Sequence, residues 1–76
     1  MRSRARLIEV LESVNGTAMR TTRTYCLLIA DAMRGTTKIG RGNAMKFCQV
    51  LIDGNSLHIR ELATEALHYL NEDANG

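Results

Sequence analysis

Apolar residues fall at helical spacing along this chain, and glycines cut the pattern into four stretches. The first covers residues 4–14, where Leu7, Val10, Leu11 and Val14 form one stripe at i, i+3, i+4 and i+7. Asn15-Gly16 stops it, because glycine takes the left-handed conformation that ends helices. The second covers residues 22–34, with Thr21 or Thr22 supplying the capping hydroxyl. Tyr25, Cys26, Leu27, Leu28, Ile29, Ala30, Ala32 and Met33 cover nearly its whole circumference, which marks a central helix packed on several sides. A short buried strand over residues 25–30 competes with this reading. The extension of the pattern to Met33 decides for helix, and Gly35 closes it.

A polar, glycine-rich loop follows over residues 35–42. Asn43 then caps a third helix whose Ala44, Phe47, Cys48, Leu51 and Ile52 match i, i+3, i+4, i+7 and i+8. That match outweighs the hairpin signal of Asp53-Gly54. Ser56 or Asn55 caps the last helix, which runs to about Leu70 with Ile59, Leu62, Ala63, Ala66 and Leu70 buried. The expected fold is all-α: a compact bundle of four short helices, one of them central and apolar, with a glycine-rich loop. It forms a single domain over residues 1–76, with a mobile basic arm at 1–5 and a frayed tail at 71–76.

Composition narrows the class. Apolar residues are 45% and charged residues 24%, the balance of a globule rather than a disordered chain. No proline interrupts the helices. The longest apolar run, residues 25–30, is far short of the roughly 20 residues that span a bilayer. With no Trp, one Phe and two Tyr, an aromatic platform for stacking bases is nearly excluded. No secretory signal is evident, so Cys26 and Cys48 are expected as reduced, buried thiols in a cytoplasmic protein. At 76 residues the core is small, and a homodimer is the expected source of extra stability.

The net charge of +2 hides an asymmetry. Residues 1–46 hold nine of the ten basic side chains and three of the eight acids, a net of +6; the remainder carries −4. Arg2, Arg4 and Arg6 alternate at the start, Arg20 and Arg23 open the second helix, and Lys38, Arg41 and Lys46 surround the loop with Arg34. Arginine forks suit phosphate oxygens, and an Arg-rich arm can enter a minor groove. These eight residues, Arg2, Arg4, Arg6, Arg20, Arg23, Lys38, Arg41 and Lys46, are the candidate nucleic-acid contacts, provided that folding gathers them on one face.

Other chemistries have weaker support. Gly35 and Gly40 have the spacing of a P-loop, but Arg41 and Gly42 stand where Lys and Ser/Thr are needed. What survives is a lesser expectation. Backbone N–H groups at the start of the third helix, with Lys38, Arg41 and Lys46 nearby, hold one phosphate of a larger ligand. Lys46 opposes the dipole of that helix, and a bound anion offsets this. Cys26, Cys48, His58 and His68 form no local ligand pair, so no metal and no cofactor is expected. His68 is spaced for surface pairs with Glu65 and Glu72. Glu61 and Glu65 share a solvated helix face. Asp31 is read as a partner of Arg34 or Arg23, and no catalytic set emerges.

A helix-turn-helix fits only the tight third-to-fourth connection, with His58, Arg60, Glu61 and Thr64 as readers in acidic surroundings that oppose DNA. The chain therefore reads as a small non-catalytic regulatory binding protein that contacts nucleic acid or a nucleoprotein complex through an Arg-rich face. The rival class is a stoichiometric protein-binding inhibitor or adaptor, of the kind phages encode to block a host or defence protein. Met19, Met33 and Met45 then offer adaptable contacts, or fill the core.

Overall fold

The computed structural model describes residues 1–14, 19–35 and 38–75, arranged as four α-helices with no strand among the described residues. They are α1 (Arg4–Glu12), α2 (Arg20–Met33), α3 (Arg41–Asp53) and α4 (Leu57–Asn75). The expected Asn15-Gly16 stop lies outside the described residues, as do Thr36, Thr37 and Gly76.

Several helix ends have a local reason, not always the expected one. Ser3 caps α1, its hydroxyl accepting the Arg6 amide at 3.2 Å. α1 stops at Glu12, yet Val14 still packs on the core. α2 starts at Arg20 with no side-chain cap, two residues before the expected start. Thr22 is not the cap: it is buried, and its hydroxyl reaches Asn55 Oδ1 at 3.2 Å in the α3–α4 turn. Gly35 ends α2 at φ 83°, the left-handed position that glycine occupies without strain, and its amide donates to the Ala32 carbonyl. Gly40, also at φ 83°, precedes α3. Asn43 is therefore an interior residue of α3, its amide donating to the Ile39 carbonyl at 2.7 Å. Ser56 heads α4, its carbonyl accepting the Arg60 amide. α4 continues through Asn75, so residues 71–75 are helical where a frayed tail was expected.

The hydrogen bonds give the directions. The start of α2 meets the α3–α4 turn through Thr22 and Asn55. Its end meets α1 and the end of α4 through Arg4, which bonds both Met33 O and Asp73. α2 and α4 thus run the same way, with α3 antiparallel between them. α1 sits over the C-terminal end of α2, since its first residue Arg4 and its last residue Glu12 both reach that end. α2 contacts all three other helices, as a central helix should, and so does α4.

One cluster forms the core: Leu7, Ile8 and Leu11 of α1; Cys26, Ile29, Ala30, Ala32 and Met33 of α2; Ala44, Cys48 and Leu51 of α3; and Ile59, Leu62, Ala63, Ala66 and Leu70 of α4. The expected α4 stripe is buried throughout. Val10, Val14, Phe47 and Ile52 are only partly buried, and Ile8 joins the core outside the expected α1 stripe. Tyr25 stacks on Phe47 at 4.4 Å with the rings 3° from parallel, closing α2 against α3. α2 is not covered all round, as Leu27 remains 38% exposed. Of the methionines, Met33 is core, Met45 packs against its edge and Met19 is exposed.

Burial sets the cost of truncation. Leu62→Ala and Ile29→Ala each remove a fully buried side chain and are expected to lose about 2–5 kcal/mol in urea unfolding. Leu57→Ala, at a position 68% exposed, is expected to stay within about 0.5 kcal/mol. Equal costs at the two kinds of position would contradict this packing.

Candidate anion-binding face

The three arginines expected as a mobile arm are held by carboxylates. The Arg2 amide and guanidinium donate to the two Glu65 oxygens at 2.8 and 2.6 Å, and the Tyr69 hydroxyl donates to the Arg2 carbonyl at 2.6 Å. Arg4 forms a two-pronged pair with Asp73 at 2.6 and 3.0 Å, donates to Met33 O at 3.2 Å, and lies 5.1 Å from the Tyr69 ring centre. The hydrogen bond to Asp73 is the main cause that raises the Arg4 pKa. Arg6 faces Glu9 one turn on at 3.2 Å, an exposed pair worth a few tenths of a kcal/mol. Arg2 and Arg4 thus bind α1 to α4.

The other five candidates, Arg20, Arg23, Lys38, Arg41 and Lys46, are exposed and form no ion pair among the described residues. They do not share one spot. Arg20 and Arg23 stand at the start of α2, which is about 20 Å long, while Arg41 stands by its end. Lys46 lies in the second turn of α3, because the helix starts at Arg41 rather than at Asn43. The dipole penalty expected at Lys46 falls on Arg41 instead.

Arg4 and Arg41 do converge. With Arg34, Ala32, Met33, Gly35 and Asp73 they line an open depression of about 540 Å³. Asp31 was expected to pair with Arg34 or Arg23. The Arg34 guanidinium instead reaches across to Glu12 of α1, pairing with Oε2 and, at 2.9 Å, with Oε1; this is the main cause that raises its pKa, with Asp31 a lesser charge nearby. Asp31 is half-buried and forms no ion pair among the described residues. A second, apolar groove of about 290 Å³ lies between α3 and α4, lined by Ile52, Leu57, Arg60, Glu61, Thr64 and Glu65.

The remaining chemistry-bearing residues have structural surroundings. Cys26 and Cys48 are free and buried. Burial pushes the Cys26 thiol up to about 11 and Cys48 to about 12, with the neighbouring Cys26 a second cause at Cys48. His68 pairs with Glu72 at 3.0 Å, whereas Glu65 turns to Arg2. His58, Arg60, Glu61 and Thr64 are exposed on α4. Among the described residues no three His, Cys, Asp or Glu side chains gather as a metal site, and no helix is long and apolar enough to cross a membrane.

Sequence reasoning missed Glu65, Tyr69 and Asp73 as anchors of the arm. Their spacing of four residues places them on one helical stripe, but only if α4 continues beyond Leu70. Comparison with protein-family models, curated proteins and solved structures returns no match.

Two measurements check this picture. Arg4→Ala and Asp73→Asn are each expected to destabilise by about 1–2 kcal/mol, with a coupling near 1 kcal/mol in a double-mutant cycle that shrinks at high salt; additive effects would break the proposed clamp. The raised thiols protect stability below the ordinary value of 9.0. Above it the unfolded chain ionises first, so stability falls as pH rises toward 11 and is lost further through 12. A urea titration from pH 8 to 11 should show this decline, and Cys26→Ala/Cys48→Ala should flatten it.

Proposed function

We propose that the protein is a non-catalytic binding protein that contacts a polyanion, nucleic acid or nucleoprotein, through the cations of α2, α3 and the segment between them. One observation carries this reading: five exposed cations there, Arg20, Arg23, Lys38, Arg41 and Lys46, lack ion-pair partners among the described residues. Residues 20–53 hold six bases and two acids, a net of +4, against −3 for residues 57–75. A polyanion approaching the α2–α3 side is attracted, and the acidic α4 turns it away from the opposite side. Arg2 and Arg6 drop out of the contact set, because their charge is spent on Glu65 and Glu9, while Arg4 keeps only the donors that Asp73 and Met33 O leave unused.

A second reading has its own support. Leu57 is 68% and Val50 53% exposed near the α3–α4 turn, and Leu57 lines the apolar groove, which suits a protein partner.

Random-sequence duplex DNA at low salt separates the two. The expected result is a mobility shift whose affinity falls with salt at a log–log slope no steeper than about −4.5, the limit for five phosphate contacts. The variant Arg20→Ala/Arg23→Ala/Arg41→Ala/Lys46→Ala should abolish the shift, and Arg6→Ala should leave it intact. No shift at micromolar wild-type protein would overturn the polyanion reading in favour of a protein partner.

A further inference from the structure

We propose that the depression lined by Arg4, Arg34 and Arg41 is a binding site for a single phosphate group; on the polyanion reading above, this is one phosphodiester of the bound strand. Three arginines from three helix ends line it: Arg4 at the start of α1, Arg34 just past the end of α2, and Arg41 at the start of α3. Each guanidinium has five N–H donors in a planar fork, the geometry that matches phosphate oxygens.

Two of the three are held in place before any ligand arrives. Arg4 spends Nη donors on Asp73 and Met33 O and keeps its Nε–H. Arg34 spends one donor from each Nη on Glu12 and keeps its Nε–H and the others. Arg41 is exposed and unpaired among the described residues, with its whole fork available. Pre-ordered side chains lose little rotamer freedom on binding.

The lining carries three positive groups and one carboxylate, Asp73, whose two oxygens both accept from Arg4. Glu12 pairs with Arg34, and Glu72 and Asp31 lie near enough to act on Arg4 and Arg34, so attraction of an anion rests on Arg41 and on the donors the ion pairs leave unused. The depression, at about 540 Å³, is wide enough for a phosphate with its first water shell and open enough to admit it as part of a longer strand. A surface arginine pair would normally be left solvated. What distinguishes this place is that ion pairs hold two of its arginines beside a third, Arg41, that has no ion-pair partner among the described residues.

The test uses the whole chain. Inorganic phosphate is titrated at constant ionic strength, with sodium chloride as the control, while the arginine Nε–H signals are followed by NMR. Saturable shifts at Arg34 and Arg41 with phosphate alone support the site. Arg41→Ala should weaken phosphate binding about tenfold, the loss of one charge-assisted hydrogen-bond pair. Its unchanged circular dichroism and urea midpoint would show that the fold is intact. Arg6→Ala, at an arginine paired with Glu9 and outside the depression, should leave the titration as it was. Equal shifts with chloride, or a titration indifferent to Arg41→Ala, overturn the site whatever DNA does.

The DNA arm then identifies the source of the phosphate. A salt slope that becomes about 0.9 shallower in Arg41→Ala supports a phosphodiester in the site. Phosphate binding without any DNA shift keeps the site as one for a free phosphate and overturns the polyanion reading. A DNA shift with no phosphate response overturns the site and keeps that reading.

Discussion

One continuous apolar seam organises this molecule. Leu7 and Leu11, Cys26 and Ile29, Cys48 and Leu51, Leu62 and Leu70 are fully buried along it, drawn from all four helices. A helix of nine residues such as α1 is marginal by itself in water. Its burial against α2 and α4 is what makes it a helix in the fold. With so small a core, each buried side chain is a large share of the net stability. Two thiols and several alanines sit in the seam, where close helix approach leaves room for little else.

The seam also decides where the charges go. When α4 turns its stripe from Ile59 to Leu70 inward, Glu65, Tyr69 and Asp73 lie along the edge of the buried face and meet the start of α1. Arg2 and Arg4 then become fasteners. Their pairs are partly shielded, two-pronged or joined by backbone bonds, and so are stronger than the exposed Arg6–Glu9 pair. The same packing brings Arg34 to Glu12 and sets Arg41 beside both ion pairs. The basic excess is thereby divided into a structural share at α1 and a share on α2, α3 and the segment between them that is without ion pairs among the described residues.

This division is a stronger feature of the molecule than its total charge. The net of +2 is not spread evenly. The segment from α2 to α3 carries a net positive charge and α4 a net negative one, so the fold has a charge asymmetry. In the depression lined by Arg4, Arg34 and Arg41, ion pairs to Asp73 and Glu12 hold two of the three arginines.

Element type and core membership were legible in the residue order because they rest on local periodicity. Four helices, the α4 stripe, buried Cys26 and Cys48, and the stop at Gly35 all follow from spacing and from glycine's freedom at positive φ. Partners across the fold were not legible. Arg2, Arg4 and Arg34 are 63, 69 and 22 residues from the carboxylates they hold. Nothing local distinguishes an arginine that will meet a carboxylate from one that will face water. Thr22 and Asn43 looked like caps because short polar side chains near a helix start usually are; their hydroxyl and amide were instead claimed by Asn55 and by the Ile39 carbonyl. Local sequence chose the helices, and packing, by setting which of their edges touch, chose which charges remain free to act.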